Sequence, residues 1–187
     1  LKRAGFDAII IEGKANEPVY LWVHDGEAEI RDAKHLWGKE TGETQSIIRE
    51  ELGDKLVRVA SIGPGGENLV RFACVIVDLR DAAGRTGMGA VMGSKKLKAV
   101  AVRGREKVKV YNPEKLVDLT RWLNQNMDKL VYNFHNYGTG AGMDAGVASG
   151  NLPIRNFRDG LFAGYENLDA RTIKRTISIG MEGCYAC

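Results

Sequence analysis

The sequence predicts an α+β fold, a β-rich unit with helical insertions followed by the start of an all-helical domain. Three observations carry this prediction. Short apolar runs bounded by glycine, proline or Asp-Gly fill the first hundred residues, the pattern left by strands. After Asn112-Pro113 the apolar residues recur at helical spacing instead, which is the periodicity of an amphipathic helix. Between the two, the polar run Arg105-Glu106-Lys107 marks a hinge, so the chain divides at 1–106 and 107–187.

In chain order, Asp7–Glu12 holds Ala-Ile-Ile-Ile ended by Gly13 and is predicted as a buried strand. Pro18–His24 is a second strand. Asp25-Gly26 is a strong hairpin signal, and Glu27–Arg31 alternates polar and apolar as the return strand. Thr44–Leu52 reads as a short helix with Ile47, Ile48 and Leu52 on one side and Gly53 placed as its C-terminal cap. Leu56–Ile62 is a strand broken by Gly63-Pro64-Gly65-Gly66, and Leu69–Leu79 is an apolar run that suits a buried strand or a buried helix. Leu97–Val102 is the last strand of the first unit. In the second, Pro113 stands at a first helical position, ahead of Leu116, Leu119, Leu123, Met127 and Leu130 at helical spacing. A looser glycine-rich segment spans Gly138–Gly150, and a further helix is predicted over Asp169–Ile177.

Composition bounds the classes of function. With 187 residues, 44% hydrophobic and 27% charged, a core is available and disorder is not indicated. The net charge of +3 is small and mixed, which argues neither for nucleic acid nor for a membrane surface, and neither is expected as a partner. No apolar run approaches the roughly twenty residues of a membrane span, and no secretory leader is legible. Cys74, Cys184 and Cys187 do not make a disulfide framework, and Cys74 among Phe72, Ala73, Val75 and Ile76 reads as a small core hydrophobe. The odd count points to a reducing, cytoplasmic setting. The chain opens without Met and closes inside a cysteine pattern, so it is expected to be an internal piece of a longer protein, inactive by itself.

One stretch concentrates the chemistry. Ala82–Lys98 packs four glycines and four cations into seventeen residues without an acid. Glycines let backbone amides approach a ligand closely, and such amides beside cations suit phosphate. The spacing is not that of a P-loop, because only three residues stand between Gly89 and Gly93 and Ser94 precedes Lys95. Gly87, Gly89 and Gly93 form only a loose relative of the dinucleotide fingerprint, which requires a preceding strand and a βαβ unit. The alternative is a tight loop leading into a helix packed on a sheet, with solvated lysines. Cys184-Tyr185-Ala186-Cys187 could serve a redox disulfide, half a zinc site or half an iron–sulfur site. His24, His35 and His135 lie in unrelated contexts and read as structural or exposed.

Five segments taken together resemble the tungsten-dependent aldehyde:ferredoxin oxidoreductase family. They are Phe6–Lys14, Ser61–Asn68 (Ser-Ile-Gly-Pro-Gly-Gly-Glu-Asn), Ala82–Lys95, Leu152–Phe157 (Leu-Pro-Ile-Arg-Asn-Phe) and the terminal Cys-x-x-Cys. They occur in the family's order and cover essentially the whole chain, and Ala82–Lys95 is the most specific. The resemblance implies that 1–106 is the second part of an α+β base carrying a tungsten bis-pterin, and that 107–187 opens a helical domain. It implies pterin binding by Ala82, Ala83, Gly84 and Arg85, with Arg85 neutralising a phosphate. It gives the Ala82 carbonyl as a ligand to Mg2+ bridging the pterin phosphates, and Cys184 and Cys187 as the first two ligands of a [4Fe-4S] cluster. The implied activity is oxidation of a small aldehyde to a carboxylate with ferredoxin as acceptor, and the resemblance leaves room for a homodimer. The implied alternatives are the tungsten subunit of a benzoyl-CoA reductase-type complex, or a non-catalytic metal- or nucleotide-binding module. One departure stands inside the loop, since the family commonly has Arg-Ala-Ala-Gly-Arg where this chain has Asp81-Ala82-Ala83-Gly84-Arg85.

Overall fold

The computed structural model describes residues 1–181, and it resolves into two compact units, Leu1–Lys109 and Val110–Cys187. Cys184 and Cys187 lie outside the described residues.

The first unit is a six-stranded mixed sheet with three helices. Its strands are β1 (Val19–His24), β2 (Glu27–Asp32), β3 (Arg58–Ser61), β4 (Val75–Val77), β5 (Asp81–Ala83) and β6 (Leu97–Arg103), and its helices are α1 (Thr41–Glu51), α2 (Pro64–Glu67) and α3 (Met88–Ser94). The order across the sheet is β2-β1-β6-β3-β4-β5. β1 and β2 form the expected hairpin, with Asp25 at φ 44° and Gly26 at φ 85°, two consecutive left-handed residues as a tight primed turn requires. β6 enters the middle of the sheet parallel to β1 and antiparallel to β3. Tyr20, Trp22, Ala33, Leu36, Ile48, Val57, Val59, Ala99 and Ala101 form the buried core, with Ile47 and Leu52 packed against it. The helical face read from the sequence therefore does cover the sheet. Gly53 takes φ 63° beyond the helix end, as a C-terminal cap glycine does.

Several expectations are corrected. Asp7–Glu12 forms no strand and is not buried, with Ile10 88% exposed. It pairs with none of the described strands, and an apolar run with no ladder partner has no sheet to join. Its end, Ile11 and Glu12, lines a mostly apolar cleft with Leu21, Ile30 and Leu97. Leu69–Leu79 is neither one strand nor one helix. Leu69 takes φ 60°, a conformation that interrupts regular structure, so only Val75–Val77 reaches the sheet and Phe72 is left 82% exposed. Cys74 is partly buried and no core residue. The Gly-Pro-Gly-Gly break is itself the short helix α2, with Pro64 at its first position.

The second unit is helical. Its elements are α4 (Pro113–Tyr137), α5 (Met143–Ala148) and α6 (Ala170–Thr176). Asn112 caps α4 by accepting from the Lys115 amide at 2.9 Å, and Asp169 caps α6 through Thr172 at 2.6 Å, as N-cap side chains do. α4 kinks at Val131, whose φ is −141°. The segment predicted as loose, Gly138–Gly150, is largely helical turns. Lys174 and Arg171 stand over the Tyr137 ring at 5.0 and 5.5 Å, and Arg171 pairs with Asp144. No described residue of this unit is fully buried, and Leu116, Leu119, Trp122 and Leu130 of the α4 stripe are about half exposed. Among the described residues, no helix is long and apolar enough to cross a membrane.

Candidate functional site

The glycine-rich stretch begins on the edge of the sheet. β4 and β5 pair antiparallel, Val77 with Asp81, Ile76 with Ala82 and Val75 with Ala83. The turn between them sets two consecutive residues left-handed, Asp78 at φ 50° and Leu79 at φ 61°. Asp78 holds that turn in place. Its carboxylate accepts from the Val59 amide at 3.1 Å and from Arg58 and Arg49 at 3.1 and 3.3 Å. β5 is the edge strand, so the outward row of its backbone groups is left for another partner. Asp81, Ala82, Ala83, Gly84, Arg85 and Thr86 are all exposed. Asp81 and Ala83 point to one face of the strand and Ala82 to the other, by the alternation of any strand.

From Gly87 the chain behaves differently. A Cβ on Gly87 would collide with the Arg71 carbonyl, one on Gly89 would lie 2.6 Å from the Cys74 carbonyl oxygen, and one on Gly93 would collide with the Gly66 carbonyl. Facing them, a Cβ on Gly66 would lie 2.9 Å from the Gly89 oxygen. The Gly89 amide donates to the Ala73 carbonyl at 2.9 Å. These glycines let α3 seat backbone against backbone on α2 and on residues 71–74. They do not open a cradle for an anion.

The cations divide in the same way. Lys95 Nζ donates to the Gly13 carbonyl at 3.0 Å, and Lys96 Nζ donates to the Asn16 carbonyl. Lys98 is fully buried and pairs with Glu67. Lys95 and Lys96 are thus partly exposed but bonded to backbone carbonyls, and only Lys98 is shut off from water. Arg85 alone of its four cations is exposed with no ion pair among the described residues.

The nucleotide reading fails on topology. A dinucleotide site needs a parallel βαβ unit, whereas β5 runs opposite to β6 and is separated from it by two strands, β3 and β4. His24 and His35 are engaged by neighbouring side chains, and His135 is exposed. His24 stacks on Trp22 with ring centroids 4.9 Å apart and bonds Glu29 at 2.9 Å, while His35 pairs with Glu51. His24, Glu27 and Glu29 offer ligand atoms within 4.8 Å of one another, yet Arg31 already takes Glu29 through two bonds of 2.8 and 2.9 Å. The His24 bond first, and Arg31 second, hold the Glu29 carboxyl below the ordinary carboxylate range.

Sequence reasoning missed the buried pair of Lys98 and Glu67. A lysine inside the apolar run Leu97–Val102 was its one visible signal.

Comparison with known proteins gives concordant matches. Residues 1–104 match the family model of the aldehyde ferredoxin oxidoreductase N-terminal domain, and residues 116–187 match that of domains 2 and 3 of the same family. A tungsten-containing aldehyde ferredoxin oxidoreductase of Pyrococcus abyssi is 45% identical over all of this chain and 31% of its own length. The WOR-like subunit of an aliphatic sulfonate oxidoreductase of Pyrococcus furiosus is 40% identical over 85% of this chain and 28% of its own length. Among solved structures, the active-site complex of a benzoyl coenzyme A reductase with 1,5-dienoyl-CoA matches with a TM-score of 0.67 and 44% identity, over 71% of this chain and 20% of that one. The chain thus spans about a third of the length of the curated relatives it matches.

Proposed function

The chain belongs to the aldehyde ferredoxin oxidoreductase family, and from that premise we propose that it is the cofactor-loop portion of a tungsten-pterin enzyme oxidising aldehydes to carboxylates. The observation that carries this reading is the exposed edge segment Asp81–Thr86 with Arg85 projecting from it, while every other cation of the stretch is engaged elsewhere. A pterin phosphate fits what that segment offers. The edge strand leaves outward backbone groups for a ligand, and a guanidinium is the side chain best matched to phosphate oxygens.

In this reading Ala82, Ala83, Gly84 and Arg85 hold the phosphate end of the cofactor. Arg85 neutralises phosphate charge with paired N–H donors, and Gly84, where a Cβ would meet nothing closer than 4.0 Å, leaves the approach open. The carbonyl of Ala82 would serve as a ligand to Mg2+. Cys184 and Cys187, outside the described residues, supply the first two thiolates of a [4Fe-4S] cluster. When bound, the tungsten centre supplies two-electron chemistry at the substrate carbon, and the protein supplies binding and orientation. The partners proposed are a small aldehyde and ferredoxin, the setting is the cytoplasm, and a homodimer is the proposed assembly. Asp81 stands at the start of the segment, where its charge opposes phosphate unless the strand alternation carries it to the other face.

The full-length protein expressed with tungstate is expected to carry tungsten, pterin and iron–sulfur absorbance, and to reduce ferredoxin when given an aldehyde. Absence of both pterin and iron overturns the reading. A second reading, reduction of an aromatic acyl-CoA, is favoured by the benzoyl coenzyme A reductase match. Substrate-dependent redox turnover with an aryl-CoA but with no aldehyde selects it.

A further inference from the structure

We propose that the buried pair of Lys98 and Glu67 is a positioning device for the cofactor loop, acting through α2 and α3; this rests on the reading that residues 82–85 hold the cofactor phosphates.

Lys98 is placed by an irregularity in the sheet. Val19 pairs with Leu97 but Tyr20 pairs with Ala99, so Lys98 is the extra residue of a β-bulge in a central strand. Bulges re-aim a side chain that regular alternation would send elsewhere. Leu97, Lys98 and Ala99 are consequently all buried. The Lys98 ammonium has no solvent, with 0% of its side chain exposed against 4% for Glu67.

The network around it is closed. Lys98 Nζ donates to Glu67 Oε1 and, at 2.7 Å, to the Lys39 carbonyl. Glu67 Oε2 accepts the Gly38 amide at 2.7 Å. A buried ion pair is a poor source of net stability, because desolvation offsets its attraction and apolar replacements are often as stable. What it supplies here is direction. Glu67 is the last residue of α2, and the adjacent Gly66 is the residue on which Gly89 and Gly93 of α3 sit. The chain after Glu67 goes on to Arg71 and Ala73, which receive Gly87 and Gly89. Orientation thus passes from β6 through Glu67 to α2, then across glycine contacts to the start of α3. The segment 82–86 enters α3 directly. Without the pair, α2 keeps its glycine contacts but has no tether to β6 at its end.

The test uses the full-length protein with Glu67→Gln, and with Glu67→Gln and Lys98→Met together, which leaves no unpaired buried charge. Three quantities are read: amide exchange at Gly89 against exchange in β6 at Val100–Val102, thermal midpoint, and pterin bound per chain. A positioning role predicts Gly89 exchange faster by about tenfold or more, the scale of losing a charge-assisted hydrogen bond, with the β6 amides unchanged. It also predicts that pterin content falls in the double variant even where its midpoint recovers. Exchange that rises uniformly, or that returns to the starting value together with the midpoint, overturns the proposal. Should the double variant fail to fold, the ratio of Gly89 to β6 exchange in Glu67→Gln alone decides between the same outcomes. If instead Arg85→Ala leaves pterin content unchanged, the loop reading has failed, and the exchange ratio still reports on the tether.

Discussion

The two halves of the glycine-rich stretch both carry glycine and cations but differ in how those residues are engaged. Asp81–Thr86 is an exposed edge strand and loop whose one arginine has no ion pair among the described residues. Gly87–Lys98 is locked, its glycines against backbone carbonyls and its lysines against Gly13, Asn16, Lys39 and Glu67. Glycine and lysine together suggest an anion site, yet here the same residue types hold a helix to its neighbour. The difference teaches that a phosphate-like composition is read correctly only after each cation's existing partner is known.

The comparison breaks most visibly at the glycines. Gly93→Ala drives a methyl group into the Gly66 carbonyl and is expected to cost about 3 kcal/mol of apoprotein stability, the upper end for overpacking. Gly84→Ala meets open space and is expected to stay within about 1 kcal/mol, the cost or gain of a tolerated surface change. Chemical denaturation of both variants checks the contrast, and equal losses would erase it.

A smaller effect, of opposite sign, lies at the turn that presents the open half. Leu79 is a non-glycine in the left-handed region and half exposed. Leu79→Gly relieves about 1–2 kcal/mol of conformational strain and adds about 0.5–1 kcal/mol of chain entropy to be lost on folding. The variant is expected to melt slightly higher, and a lower midpoint would show that the Leu79 side chain matters more than its backbone.

Asp81→Asn sharpens the electrostatics of the open half. Removing one exposed like charge beside a phosphate is expected to strengthen pterin retention by a factor of about two to five, the scale of an exposed charge pair. Unchanged retention would mean that Asp81 faces away.

The least effect is expected at the far end of β6, where Arg103 bonds Asp54 at 2.6 Å. That bond first, and the Leu56 amide second, hold the Asp54 carboxyl below the usual carboxylate range. A lowered folded value means stability that is complete above the unfolded value of about 3.9 and is lost as pH falls through the folded one. Asp54→Asn should therefore make the acid limb of a stability–pH curve shallower and leave its neutral limb level.

Much of this was legible in sequence because it is local. The Asp25-Gly26 turn, the start of α4 at Pro113, the helix near Asp169–Ile177 and the amphipathic face of α1 are each set by neighbours a few residues apart. What misled was non-local. The Ala-Ile-Ile-Ile run of Asp7–Glu12 has strand composition, but a strand exists only beside another, and composition does not say whether one is there. Leu69–Leu79 was ambiguous because no periodicity shows that Leu69 turns left-handed. Of the proposed site, the residues Ala82–Arg85 came from the sequence and the exposed sheet edge they occupy came from the structure. The partners of Lys95, Lys96 and Lys98 were not, since they come from residues about eighty, eighty and thirty to sixty positions away. The bulge that buries Lys98 has no sequence signature beyond a lysine where an apolar residue would do.

The most direct measurement is pterin bound per chain in the full-length protein carrying Arg85→Ala, beside Lys95→Ala as the matched loss of charge from the locked half. Arg85→Ala is expected to keep the apoprotein midpoint, as exposed substitutions do, and to lose most of its pterin. Lys95→Ala, whose ammonium serves the Gly13 carbonyl, is expected to keep its pterin. Pterin retained in full by Arg85→Ala, or lost equally from both, would contradict the division of the stretch into a binding half and a packing half.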